Sequence, residues 1–284
     1  MKSLSLIGCG KVGTALALLW HRQKILRVHQ IVTRSKGTAA QAAEKIGSGE
    51  ICHSIDDLSH ADIIFLAVPD REIRPVCEKL ACLKRFAHST IFHTSGSVDA
   101  KPLEKVSPNF ASIHPLLSFA CLNFVIDNFY GTYCTIRGSA SGIKMLAPIF
   151  QAIGAKTIIL DRLDTALYHT GAVLASNYVL TLIALASDCL ITAGIPEEAA
   201  KPMLLPLIQS VLAQAKQSDQ IASVLTGPIS RSDRQTIDLH LEAIKEKLPT
   251  LMSVYKQLGR HTLDLAKQQN PQVTDYQILR QLLE

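Results

Sequence analysis

A short, mainly apolar run, Leu4 to Ile7, leads directly into Gly8-Cys9-Gly10-Lys11-Val12-Gly13, and from Val12 to Trp20 the chain becomes Ala- and Leu-rich with helical spacing. A short strand, a glycine turn and a helix in that order open a βαβ unit. The spacing Gly8-x-Gly10-x-x-Gly13 therefore lies where each glycine has a mechanical meaning. The first permits a tight turn, the second lets a pyrophosphate reach the backbone, and the third lets helix and strand pack closely. A pyrophosphate there would rest on the amides around Lys11 and Val12, at the positive end of the helix.

The alternation continues for some 160 residues. β-type runs recur at Val28–Thr33, Asp62–Val68, Thr90–His93, Ala111–His114, Thr132–Ile136 and Thr157–Leu160. Helical segments lie between them at Thr38–Ile46, Glu72–Leu83 and Gly142–Ile153. The pattern predicts an α/β fold of the Rossmann type, a doubly wound and mostly parallel sheet. After Asp161 the strand signals stop, and helices are expected over Arg162–Ala193, Glu197–Gln214, Arg231–Glu246, Thr250–Lys267 and Asp275–Leu283. A chain of 284 residues suits two cores. We expect a dinucleotide domain at 1–161 and an all-α substrate and dimerisation domain at 162–284.

The form of the dinucleotide is read at the end of the second strand, where an NAD enzyme places a carboxylate for the ribose hydroxyls. Here the chain has Thr33-Arg34-Ser35-Lys36. A guanidinium grips a 2'-phosphate with its fork and a serine adds a hydrogen bond, so Arg34 and Ser35 point to NADP. Val68-Pro69 and Ser95-Gly96 end the next two strands at the edge where ligands bind in such folds, beside the expected nicotinamide and its ribose. His114-Pro115 reaches the same edge. A histidine is the natural proton donor at neutral pH, although a satisfied core histidine reads the same way.

In the helical half, His169, Val173 and Asn177 fall at i, i+4 and i+8, with Tyr168 and Ser176 beside them. Polar groups on so apolar a segment need partners, in a cleft between the halves or across a dimer. The turn Leu225–Asp233 brings Thr226, Arg231 and Asp233 together, with Ser230 or Ser232 as the helix cap. Arg231 suits a substrate carboxylate; a capping network is the alternative.

Ala166–Ser187 carries no formal charge over 22 residues, long enough to cross a bilayer. Its His169, Asn177 and Ser/Thr residues argue instead for a helix buried all round, in a domain or a homodimer. The net charge of +5 is scattered and aromatics are only 5%, which speaks against a nucleic-acid surface and suits an anionic cofactor and a small anionic substrate. Seven cysteines without a CxxC or a Cys/His cluster read as buried thiols in a reducing compartment, and no metal is implied. The first strand begins almost at once, with no leader pattern ahead of it, so a cytoplasmic location is expected.

These motifs together resemble a family of NADP-type oxidoreductases that join a Rossmann-like half to a helical half of unassigned function. The resemblance runs through the glycine turn, His114-Pro115, Tyr168-His169 to Ser176-Asn177, and Leu225-Thr226-Gly227-Pro228 with Arg231 and Asp233. It implies kinship with ketopantoate reductase, pyrroline-5-carboxylate reductase and the beta-hydroxyacid dehydrogenases, with a C-terminal domain like that of 6-phosphogluconate dehydrogenase. Some bacteria use similar proteins as a substitute ketopantoate reductase in pantothenate synthesis, which makes that keto acid the first expected substrate. A cyclic imine, or an NADP-sensing role without catalysis, is the alternative. In the ketopantoate and hydroxyacid enzymes a lysine stands four residues before the asparagine. If Asn177 is that asparagine, Val173 holds the lysine position. An aliphatic side chain cannot protonate an alkoxide, so the role of acid would pass to His169 or His114.

Overall fold

The computed structural model describes residues 1–272 and 276–284, which form two compact units, Met1–Ser176 and Asn177–Glu284. In the first unit, β1 (Lys2–Ile7), α1 (Lys11–Arg22), β2 (Leu26–Val32), α2 (Lys36–Ile46) and β3 (Glu50–Cys52) are followed by β4 (Ile63–Leu66), α3 (Asp70–Leu83) and β5 (Thr90–His93). Then come β6 (Phe110–Pro115), α4 (Leu122–Asn128), β7 (Tyr133–Gly138), α5 (Ala140–Ala152), β8 (Lys156–Ile159) and α6 (Thr165–Leu174). The eight strands form one sheet in the order β3-β2-β1-β4-β5-β6-β7-β8. Every neighbouring pair is parallel except β6 and β7. The expected doubly wound sheet is present. β3 and α4 carry no strong sequence signal, being three and seven residues long.

The central strand β4 is apolar at every position because both of its faces are covered. Ile63 and Phe65 of β4 enter one core, with α1, α2, α4 and α5, while Ile64 and Leu66 enter the other, with α3. In the first core Trp20 of α1 meets Phe150 of α5 edge to face at 5.1 Å, and Phe65 stacks on Phe92 at 4.4 Å. The buried indole N–H donates to the Ile149 carbonyl, so the ring is accommodated without an orphaned donor.

The second unit holds α7 (Asn177–Thr192), α8 (Glu197–Gln217), α9 (Arg234–Lys247), α10 (Met252–Gln269) and α11 (Tyr276–Leu282). Ile237, Leu263, Ala266, Tyr276, Leu279 and Leu283 form its small core, from α9 to the C-terminus. The start expected for the last helix, Asp275, lies outside the described residues.

Three expectations change. The single long helix over 162–193 is two helices, broken at Ala175–Ser176, and the division between units follows that break rather than Asp161. The first unit keeps α6 because Tyr168 bonds to the end of β6. The apolar run is also not buried: no residue of α6 or α7 is, although the span Thr165–Thr192 is long and apolar enough to cross a membrane by length and composition. Helices apolar all round pack on one neighbour here, α7 on α8, and keep their other faces bare. Finally, Cys82 and Cys121 are exposed, whereas Cys9, Cys52, Cys77 and Cys134 are buried as expected, and all seven thiols are free.

The aromatic cluster should dominate the stability of the first unit. Phe92→Ala is expected to cost about 3–5 kcal/mol, read from urea unfolding by the fluorescence of Trp20, the only tryptophan.

Candidate active site

The glycine turn is fixed by its neighbours. The Gly8 N–H donates to the Val32 carbonyl and the Ala67 N–H to the Ile7 carbonyl, each at 2.8 Å, so β2 and β4 hold the end of β1 on both sides. Gly8 adopts φ +80°, and a Cβ there would stand 2.6 Å from the Ala67 oxygen. A Cβ on Gly13 would stand 2.6 Å from the Ala67 Cβ, which is how α1 comes to lie so near β4. Gly10 differs from both. Its φ of −73° suits any residue and a Cβ would meet nothing within 4 Å, so neither conformation nor packing accounts for a glycine there. Gly10 caps α1 without a side-chain bond, and no acidic residue stands in the first turn, so the amides at Lys11 and Val12 face outward at a positive helix end. Open space over a bare helix terminus fits a pyrophosphate. Cys9, held by burial above its ordinary pKa, and Thr14, which bonds the Cys9 carbonyl, form the inner wall.

At the end of β2 the Thr33 hydroxyl donates to the Ser35 carbonyl and shapes the turn. Arg34, Ser35 and Lys36 are exposed, and the Ser35 side chain leaves the amides of α2 uncapped. Neither cation enters an ion pair among the described residues. Two charges, a hydroxyl and a second helix N-terminus are thus available to one phosphate.

The next strands bring up the rest of the edge. Val68 packs over Gly8, and Pro69 starts α3. After β5, Ser95 accepts the amides of Ser97 and Val98, and the Ser97 hydroxyl donates to Asp70 at 2.6 Å. Beneath this loop lies His93, which is fully buried. Its Nδ1 accepts the Ser95 amide and its Nε2 donates to the Asp99 carbonyl, both at 3.2 Å, and burial holds its pKa below the ordinary value. Arg137 fixes Asp99 by an ion pair of 2.6 Å. Ser95 is therefore where the sequence places it, but its hydroxyl is engaged in folding the loop.

Beyond it stands His114. Its Nδ1 lies 2.8 Å from the Tyr168 hydroxyl, and its Nε2 faces Gly96 so closely that a Cβ there would stand 2.9 Å away. Thr135, directly across the β6–β7 ladder, donates to the same phenol oxygen at 3.4 Å. The His169 ring is 6.3 Å from that of His114, and its Nδ1 is buried without a partner. Burial, and then His169, depress the His114 pKa to about 4, against a small opposing pull from Asp70. The two histidines named from sequence do meet. Tyr168 and Thr135 complete the cluster; His114-Pro115 and the adjacent Tyr-His pair are its signs in the sequence, and Thr135 has none.

The remaining candidates fall at the end of the first unit and in the second. The Ser176 hydroxyl donates to the Ala172 carbonyl, and Asn177 opens α7 in the second unit, so the expected stripe with His169 and Val173 is interrupted by the helix break. Thr226 and Arg231 are exposed on the turn before α9. That helix starts at Arg234 rather than Arg231, and its cap is Asp233 instead of Ser230 or Ser232. One carboxylate oxygen takes the amide of Thr236 and the other its hydroxyl, and these bonds hold its pKa down. Among the described residues no group of three or more His, Cys, Asp or Glu could hold a metal.

This is a dinucleotide-type sheet edge with a histidine–tyrosine cluster on it, and comparisons agree on the class. Residues 2–115 match the model of a Rossmann-like domain, and residues 132–262 match that of a domain of unknown function, DUF2520. The two matches follow one another in the order that the chain's motifs resemble, and the second begins within the sheet, at β7. No characterised protein matches the sequence at a significant level. Among solved structures, a Bacteroides fragilis protein provisionally classed as an NADP oxidoreductase is 20% identical with a TM-score of 0.74, covering 93% of this chain and 98% of its own. Pyrroline carboxylate reductase from Plasmodium falciparum, solved with NADP bound, gives 17% and 0.58 over 93% and 98%. An imine reductase from Pseudomonas sp. gives 17% and 0.60 over 94% and 92%. At such identities the likeness is one of fold.

The depressed pKa of His114 has a consequence for stability. Its folded value lies below the 6.5 of the unfolded chain, so the unfolded state takes up a proton first as the pH falls. Stability is expected to be flat in this respect above pH 6.5 and to drop from there toward pH 4. His114→Gln should remove part of that drop in urea unfolding followed across the same range; an equal drop in the variant would contradict it.

Proposed function

We propose that the chain is an NADPH-dependent reductase of a small anionic carbonyl compound. What carries the reading is Gly10: a glycine that its own fold does not require, over an uncapped helix end, on the same sheet edge as the unpaired Arg34 and the His114 cluster. The amides at Lys11 and Val12 would take the pyrophosphate, Arg34 and Ser35 the 2'-phosphate, and Val68, Pro69 and the Ser95 loop would flank the nicotinamide. Bound NADPH would supply the hydride. One of the two histidines would give the proton, and the buried first core keeps the sheet edge that carries both groups rigid.

Ketopantoate is the first substrate to test, on the resemblance described above. The runner-up is an imine of the pyrroline-5-carboxylate type, favoured by Val173 in place of a lysine, because an imine can arrive protonated. Purified protein with NADPH and a panel of keto acids and cyclic imines separates the two by which group consumes the coenzyme. Tight NADPH binding without turnover of either would leave a sensor. Arg34→Ala removes charge-assisted hydrogen bonds of about 1.5–3 kcal/mol, so calorimetry should show NADPH binding weakened roughly 10- to 100-fold with NADH binding unchanged.

The second unit is proposed to pair with a second copy of the chain. Leu180 of α7 and Leu207 of α8 are 69% and 61% exposed on a bare apolar hairpin, a surface that soluble monomers avoid. Sedimentation without detergent should give a dimer, and Leu180→Glu with Leu207→Glu a monomer. A monomeric parent would remove this proposal.

A further inference from the structure

His114 and His169 both reach the candidate site, but they differ in what holds their protons. The Thr135 hydroxyl donates to the Tyr168 oxygen, so the phenol's own hydrogen is directed to its other neighbour, the His114 Nδ1 at 2.8 Å. A ring that accepts at Nδ1 while neutral carries its hydrogen on Nε2. That Nε2 makes no hydrogen bond to the protein among the described residues, and it points across Gly96, where any larger residue would close the space. His169 has no such support. Its Nδ1 is buried without a partner, so nothing fixes its tautomer.

We infer that Tyr168 is a positioning and relay residue for His114: it sets the Nε2–H tautomer and makes His114, not His169, the donor to the substrate oxygen. The reversed strand β7 is what permits this, because its antiparallel register sets Thr135 opposite His114 with the phenol within reach of both. The step balances without a charged histidine. As the acceptor carbon takes hydride from NADPH, which becomes NADP+, its oxygen takes the proton from Nε2. That N–H bond breaks as Nδ1 gains the Tyr168 proton. The phenolate accepts from Thr135 until product leaves; Nδ1 then returns its proton to the phenolate as Nε2 takes one from solvent, so each turnover consumes one solvent proton and restores the starting tautomer. Catalysis by His114 in this sense rests on the reductase reading, whereas the tautomer does not.

The test therefore has two arms. In the wild-type protein without ligand, 15N NMR of labelled histidines at neutral pH should show His114 as a single Nε2–H tautomer. In Tyr168→Phe the same resonance should move to a mixture. A wild-type ring protonated on Nδ1, or a signal indifferent to Tyr168→Phe, overturns the assignment whatever the enzyme does. With whichever keto acid consumes NADPH, Tyr168→Phe is expected to lower kcat by about 10-fold or more while leaving the KM for NADPH unchanged, and to remove the solvent isotope effect of the relay. An unchanged kcat, or a loss reproduced by His169→Ala but not by His114→Ala, overturns the catalytic half. Absence of turnover in the wild type with every keto acid and imine sinks the reductase reading and the catalytic half with it, and leaves the NMR arm standing on its own.

Discussion

The approach of α1 to β4 governs the rest of the first unit. Two Cβ atoms are missing where Gly8 and Gly13 face Ala67, and their absence lets the helix sink onto the sheet. Once it is there, Trp20 reaches Phe65, Phe92 and Phe150, and one core spans the strands from β2 across to β7. The same descent leaves the amino end of α1 open at the sheet edge. Packing and binding thus share one geometric cause, and a bulkier residue at either glycine would disturb both.

Further along that edge, polar groups are placed by neighbours that are themselves held. His93 ties the start of its loop to Asp99, Arg137 ties Asp99 from β7, and Ser97 reaches Asp70. His114 rests against the one glycine in this loop and is held from the other side by α6. A histidine kept neutral by burial loses its value as a cationic acid and gains value as a link in a chain of hydrogen bonds. Two neutral hydroxyls behind it are what such a link requires.

Much of this could be read from residues alone. The glycine spacing and the apolar runs pointed to the sheet and its direction, and Arg34 after β2 to an exposed cation at its edge, because each is a local pattern with a local cause. What sequence could not give was long-range. Thr135 meets His114 only because β7 runs backwards, and no residue in β7 announces that direction. The break at Ala175–Ser176 is likewise silent, since neither residue is a helix breaker and the apolar pattern runs through it. Asp233, not Ser230 or Ser232, is the cap because α9 begins three residues later than its pattern suggests, a start visible only when the turn is folded.

The three glycines of the first turn answer to different demands. Two are dictated from inside, by a backbone torsion and by a neighbouring methyl group. The middle one has an ordinary torsion and empty space before it. Its smallness answers no demand from inside the polypeptide, so it is the position at which folding and usefulness come apart: the chain could drift at residue 10 and fold as before, while residues 8 and 13 would stay as they are.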